Sequence, residues 1–313
     1  MASPVTNYNP EQIQESEISK LIRCPLCRGM LDRSNTALRC SSCAREFPFR
    51  RGFPDLIVDE RFNDPTTAQK IQYEERSNAD LTRNYLIPLF RQLWPDHRAR
   101  LLSFGCGTGI DVDLLTREGF ECLGIDCGNR TQVWEGREQR SHLILANGKH
   151  LPFPEQSFDG AFCGCVFPHV GVVGDSSQVT TQYNAERSRL AGEIGRVLKS
   201  NGKVIVSSPN RLFPLDLFHG REEGSMRPKW NWPGRPFLLS AADYARLFRS
   251  SGFTQVTPLP VRNYWGFIRS RHSFRGWMLG APVRGLFWIV SQVRPLRTSP
   301  LNPWLVLLLA RPN

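Results

Sequence analysis

Two features of the 313-residue chain could do chemistry before any fold is assumed. The first is a set of four cysteines in two CxxC pairs, Cys24-Pro-Leu-Cys27 and Cys40-Ser-Ser-Cys43, with 12 residues between the pairs. Each pair can form a tight knuckle whose N–H groups point at the sulfurs, so four thiolates close a tetrahedron around Zn²⁺. Four protein ligands leave no open position, which makes such an ion structural, and about 40 residues bury too little core to fold without it. The second feature is Gly105-Cys106-Gly107-Thr108-Gly109, followed by Asp126, 21 residues after Gly105. Glycines let the chain turn sharply and bring its backbone against a ligand, and a carboxylate at that distance can accept from both hydroxyls of a ribose. No Lys-Ser or Lys-Thr follows the glycines, so a phosphate-binding loop is the poorer reading. Two histidines, His169 and His219, are candidate bases or acceptor contacts.

These groups need elements to hold them. RLLSF reads as a strand running into the glycine loop, and TGIDVDLLTREG as the helix that follows. FECLGID, SHLILAN and FDGAFCGCV read as a second, third and fourth strand, with Asp126 ending the second and His169 just beyond the fourth. A helix over Thr180 to Leu198 is expected to close at a Ser200-Asn201-Gly202 C-cap, before a fifth strand GKVIVSSPN. Ser240 can N-cap a helix, and FTQVTPLPV and WLVLLLARP read as two closing strands. Short apolar strands alternating with helices predict an α/β fold, a doubly wound, mainly parallel seven-stranded Rossmann-like sheet. The expected organisation is a disordered N-terminus over 1–20, a zinc-ribbon module over 21–58 and a linker with helices over 59–99. Residues 100–313 then form the sheet domain, with inserts at about 209–239 and 262–303. Long connections of this kind usually carry function. Tyr73 and Tyr85, in the helices before the sheet, are placed to roof a ligand or to pack. The five remaining cysteines, Cys106, Cys122, Cys127, Cys163 and Cys165, lie on or beside strands and are expected in the core.

Charge is unevenly spread. Residues 1–200 carry 24 basic and 25 acidic side chains, residues 201–313 carry 16 and 4, and the whole chain is +11. No acid follows Asp243, whereas ten arginines do, interleaved with Trp265, Trp277, Trp288 and Trp304. Such a surface suits phosphates of nucleic acid or of anionic lipid headgroups. Composition excludes collagen-like, coiled-coil and disulfide-scaffold classes. The N-terminal residues lack a secretory pattern, and the most apolar stretch, Gly276 to Val293, is interrupted by Pro282, Arg284 and Gly285. A reducing, cytoplasmic setting is therefore expected, with peripheral membrane contact through the second insert.

The run LLSFGCGTG, LGID, ANGKHLPFPEQSFDGAFCGCVFPHV and EIGRVLKSNGKVIVSSPN resembles class I S-adenosylmethionine-dependent methyltransferases, in the broad group that includes the quinone C-methyltransferases. The resemblance implies that Gly105, Cys106, Gly107, Thr108 and Gly109 border the methionine part of S-adenosyl-L-methionine and that Asp126 holds the ribose. It also places Asn147, with Gly148 beside it, where the family often has an Asp that contacts adenine. Pro168-His169-Val170 stands where family members often read Glu-His-Val. The N-terminal CxxCxxxFPFRRGFPDLI resembles zinc ribbons of the small methyltransferase-activating proteins of tRNA and protein methylation.

Three functions follow as expectations. The leading one is methyl transfer to a small or lipid-like acceptor at an anionic membrane surface, because Trp265, Phe267, Ile268, Trp277, Met278, Leu279, Leu286, Phe287, Trp288 and Ile289 accompany arginine in the 262–303 insert. The second is RNA methylation, since ribosomal RNA guanine methyltransferases with an N-terminal zinc knuckle share this domain order. The third is a non-catalytic partner that binds the cofactor or a methyltransferase without turning over.

Overall fold

The computed structural model describes residues 20–58, 61, 66–174, 176–217, 219, 229–232, 234–261 and 274–312. The N-terminal stretch to residue 19, most of the 59–65 linker, and the parts of the two inserts at 220–228 and 262–273, Trp265 among them, lie outside the described residues.

The cysteine pairs open a small antiparallel sheet of four strands in sequential order: β1 (Leu31–Arg33), β2 (Ala37–Cys40), β3 (Glu46–Arg50) and β4 (Phe53–Pro54). Two helices follow, α1 (Ala68–Leu81) and α2 (Ile87–Leu93), joined without a break by a π-helical turn over Thr82–Leu86. The Thr67 hydroxyl caps α1 by accepting from Lys70 N. The rod ends at Trp94-Pro95, as the proline requires.

The main sheet is built from β5 (Arg100–Phe104), β6 (Glu121–Asp126), β7 (Leu143–Leu145), β8 (Phe158–Gly164), β9 (Leu198–Pro209), β12 (Gln255–Pro258) and β13 (Trp304–Ala310). A short hairpin, β10 (Leu215–Asp216) with β11 (Lys229–Trp230), lies between β9 and β12. The strand order is β12-β13-β9-β8-β5-β6-β7, with all pairs parallel except those of β13. The order turns at β5: the chain winds outward one way through β6 and β7 and then crosses to β8 on the other side. Ligands of open α/β sheets bind at such a switch point, outside the carboxyl ends of the strands.

Helices α3 (Ile110–Arg117), α4 (Tyr183–Val197), α5 (Ala241–Arg249) and α6 (Phe274–Gln292) complete the chain. Strands buried on both faces need no polar alternation, and β5 shows it: Leu102 and Phe104 enter one core cluster and Leu101 the other. One cluster joins the sheet to α4 and α5, the other to α2, α3 and α6. Ser240 caps α5 in a full capping box with Asp243, as its position suggests.

The C-terminus of α4 departs from the expectation. Ser200-Asn201-Gly202 does not cap the helix; Leu198 is already extended and paired with Phe158, and the ladder resumes at Lys203 opposite Gly160. The three residues form an irregularity in β9, because burying Leu198 in the core pulls the chain into the sheet before a glycine cap can form.

The cysteine module is not suspended on a linker. Asp55 bridges to Leu145 in parallel, and Leu56 N donates to Leu145 O at 2.8 Å, so the module adds its exit segment to the β7 edge. Ile22, Leu38, Phe47 and Leu56 share the core cluster of the sheet. Arg23 N donates to Pro152 O at 2.8 Å, and Arg28 pairs with Glu193 of α4. The edge of the parallel sheet is thereby covered.

The arginine- and tryptophan-rich C-terminal region divides into two. Trp304 is buried in β13. Arg311 donates to the carbonyls of Gly195, Leu198, Lys199 and Ser251, and Arg297 to those of Ser291 and Pro258. These residues hold the fold together rather than form a basic face, which corrects the uniform surface read from composition. Arg246, Arg249, Arg284 and Arg294 are exposed, as are Met278, Trp288 and Ile289 of α6. No helix among the described residues is long and apolar enough to cross a membrane.

Candidate functional site

The glycine loop leaves β5 and enters α3 with Gly105, Gly107 and Gly109 at φ +67°, +55° and +75°, a region that L side chains enter only at a cost. Gly107 N donates to Asp126 Oδ2 at 2.8 Å, and Gly128 N to Asp126 Oδ1 at 2.7 Å. The loop and the carboxylate at the end of β6 are therefore one unit. A carboxylate has about four acceptor positions, so the half-buried Asp126 retains capacity for ligand hydroxyls. The Trp134 indole donates to Gly107 O at 2.8 Å and fixes the loop from below. The buried Thr108 hydroxyl has no partner. Arg130 lies beside Gly107 and pairs with Glu74 of α1, which ties the loop after β6 to the helices that precede the sheet.

Asn147, beyond β7, sits beside this unit because Ala146 N donates to Asp126 O. Its Oδ1 accepts from Lys149 N at 3.0 Å, and Gly148 packs against Leu190. A cavity of about 720 Å³ opens between the segment after β6, with Cys127, Asn129 and Thr131, and the cysteine module side, with Arg50, Arg51 and Arg61. Cys127 is thus a half-buried wall residue and not the core filler expected. Tyr85 donates to Pro260 O at 2.7 Å, linking the turn between α1 and α2 to the segment just past β12.

A second group lies at the carboxyl end of β8. Cys165 sits at φ +56° just past the strand, with Sγ 3.5 Å from His219 Nε2. His219 Nδ1 lies 3.1 Å and 3.2 Å from the carboxylate oxygens of Asp216, which is buried. The rings of His169 and His219 are 5.1 Å apart, and Phe237 meets both edge-on. Burial opposes ionisation of Cys165, but the charges and hydrogen bonds of His219 and His169 prevail and bring its thiol down to about 6. Burial likewise opposes the charged form of His219, yet Cys165 and Asp216 raise it to about 10. Sequence alone brought forward His169 and His219; the structure puts them together and adds Cys165 and Asp216. Cys165, expected in the core, is half-buried and engaged, whereas Cys106, Cys122 and Cys163 are buried as expected. Its place at the end of the strand beside the switch point was the missed signal.

Arg187 of α4 holds this group in place. It is buried, and its guanidinium donates to the carbonyls of Pro168, Val170, Pro236 and Phe237. It thereby ties the His169 segment to the segment carrying Phe237.

The module cysteines converge as their spacing predicts. Cys24 and Cys43 sulfurs are 3.8 Å apart, Cys27 and Cys40 sulfurs 3.4 Å, and all four lie within 4.8 Å of one another. Arg28 and Ala44, just past each pair, take positive φ of 64° and 60° and donate to Cys24 O and Cys40 O. The two knuckles are thus near-copies. Burial works against ionising Cys40, but the N–H groups of Cys43 and Ser42 bring its thiol down to about 6. The donor set fits one tetrahedral Zn²⁺.

A family model described as a methyltransferase domain matches residues 102–206. Two curated relatives bear the name "Probable S-adenosylmethionine-dependent methyltransferase". One, from Mycobacterium tuberculosis, is 28% identical over 144 residues, covering 43% of this chain and 47% of the relative. The other, from Mycolicibacterium smegmatis, is 26% identical over 169 residues, covering 51% and 54%. The chain spans about half the length of these relatives. A solved phosphoethanolamine N-methyltransferase 2 from Haemonchus contortus is similar at 15% identity, covering 79% of this chain and 58% of its own, with a TM-score of 0.47. The matched residues include the glycine loop, Asp126, Asn147, Cys165 and His169; the cysteine module and the His219 insert lie outside them.

Proposed function

We propose that the chain transfers the methyl group of S-adenosyl-L-methionine to a small or lipid-like acceptor. The observation that carries the reading is the Asp126 carboxylate bonded to Gly107 N within a matched methyltransferase domain. Gly105, Cys106, Gly107, Thr108 and Gly109 would border the donor's methionine part, Asp126 its ribose, and Asn147 with Gly148 its adenine. The unpartnered Thr108 hydroxyl supports a polar ligand against the loop. The sulfonium methyl arrives activated, so the protein's task is to hold the acceptor in line with it. His169 and His219 would contact the acceptor; Trp230 and Trp232, in the same insert as His219, are exposed. Cys24, Cys27, Cys40 and Cys43 would hold a structural Zn²⁺ that fixes the ribbon on the β7 edge.

Exposed Met278, Trp288 and Ile289 of α6, with Arg284 and Arg294, support a peripheral contact with an anionic membrane surface. The loss of Trp304, Arg297 and Arg311 to the fold weakens the RNA reading. Incubation of the full chain with methyl-labelled donor and fractionated cell extract tests the proposal. Label in the lipid or small-metabolite fraction, absent with Asp126→Ala, is the expected result. Label in RNA would put the second reading first, and no donor binding by calorimetry would restore the non-catalytic one.

A further inference from the structure

Three potential metal-ligating atoms converge where the fold brings the insert against β8: Cys165 Sγ and a ring nitrogen each of His169 and His219 lie within 4.8 Å of one another. Zn–S near 2.3 Å and Zn–N near 2.0 Å in a tetrahedron set sulfur and nitrogen roughly 3.5 Å apart. Cys165 Sγ and His219 Nε2 are 3.5 Å apart. The four-cysteine cluster gives an internal yardstick, with sulfur pairs at 3.4 and 3.8 Å.

The surroundings of His219 agree with this. A metal-binding imidazole almost always gives its other nitrogen to a carboxylate or carbonyl, which fixes the tautomer and aims the ring. The Nδ1 of His219 faces buried Asp216, leaving Nε2 for the cluster. A cysteine–histidine–aspartate group alone would also describe an activated thiol. That arrangement has no use for a second imidazole closing on the same point, whereas a three-ligand ion requires one. Phe237, edge-on to both rings, and Arg187, tying the Pro168 and Phe237 carbonyls, hold the histidines in place.

We propose that Cys165, His169 and His219 form a second zinc site, with three protein ligands and one open coordination position. One thiolate and two imidazoles suit a borderline ion such as Zn²⁺ and disfavour Mg²⁺ or Ca²⁺. The open position takes water or an anionic oxygen or sulfur, and in this the site differs from the closed four-cysteine cluster. The binding claim stands without the methyltransferase reading.

Zinc content of the full chain, purified with zinc and desalted, provides the test. Wild type is expected to hold two ions per chain, and Cys165→Ser and His169→Ala one each, with unchanged melting as a check on folding. Asp216→Asn is expected to keep the second ion at saturating zinc but to bind it about 10–100-fold more weakly. Should either ligand variant fail to fold, Co²⁺ titration of wild type decides by itself: two steps are expected, a thiolate-rich site and one with a single thiolate. A single ion per wild-type chain, or iodoacetamide labelling of Cys165 that is equally fast with and without zinc, overturns the site and leaves the activated thiol. These readouts do not involve methyl transfer, so their failure and that of the enzymatic reading are separable.

Discussion

The two clusters of soft donors in this chain differ in how they are assembled. The first draws its four ligands from Cys24 to Cys43, each pair closed by its own backbone knuckle. The second draws Cys165 and His169 from the end of β8 and His219 from an insert 54 residues beyond Cys165, and long-range packing brings them together. A cluster made of near neighbours can anchor a fold that lacks a core, whereas one made of distant residues can exist only after the core has formed. The first belongs to stability and the second to the ligand side of the molecule.

The largest effect should come from exchanging their roles. Cys24→Ser would remove a ligand of the proposed structural zinc, and with it a folding energy of about 10 kcal/mol or more in isolated zinc modules. Because Ile22, Leu38, Phe47 and Leu56 share the core of the sheet, the loss should spread beyond the module. Melting of the whole chain is expected to fall by more than about 10 °C, against roughly 3 °C or less for Cys165→Ser. Equal shifts for the two variants would end the distinction.

Arg187→Met comes next. It strips the donor from four carbonyls in a buried setting, at a cost of about 2–4 kcal/mol. Burial already lowers the pKa of this guanidinium, a sign of how far it has been taken from water. The variant is expected to melt lower and to weaken zinc binding at the second cluster while the first keeps its ion. Loss from both clusters together would show Arg187 to be a general stabiliser and not a positioning residue.

The same contrast decides what could be read without coordinates. CxxC pairs, the glycine loop with Asp126 at its expected distance, and the order of strands are local patterns, and the seven-stranded sheet follows from them. Cys165 reads from sequence as a core residue because its partner His219 and the carboxylate of Asp216 are remote in sequence; no local periodicity marks them. The docking of the module is of the same kind: nothing in FPDLI names Leu145 as its bridge partner. Arg297, Arg311 and Trp304 show the reverse error, where composition suggests a surface while backbone carbonyls hold the two half-buried arginines and β13 buries the indole. Ser200-Asn201-Gly202 carried a correct local signal that strand pairing overruled.

Two carboxylates near the glycine loop sharpen the point at smaller scale. Asp126 ends its strand half-buried and accepts from Gly107 N and Gly128 N, so its charge is held where the sequence motif places it. Asp126→Ala is expected to weaken donor binding by about 2 kcal/mol, roughly 30-fold by calorimetry. An unchanged affinity would remove the carboxylate from the ligand site.

Asp111, in the first turn of α3, is buried, and the fold alone sets its behaviour. Burial is the main influence and raises its pKa from 3.8 to about 6, although Ser103 Oγ donates to it and Val112 N does so too. A raised carboxylate weakens the folded state as pH climbs. Below about 4 both states are protonated and nothing is lost. Between about 4 and 6 the unfolded chain ionises while the folded one keeps its proton, and above 6 the deficit is constant. The shift corresponds to about 2–3 kcal/mol. Asn at this position cannot titrate, so the stability of wild type relative to Asp111→Asn should fall by that amount between pH 4 and 7 in denaturant melts. Parallel curves would mean that Asp111 ionises in the folded chain as readily as in water, its hydrogen bonds from Ser103 and Val112 offsetting burial.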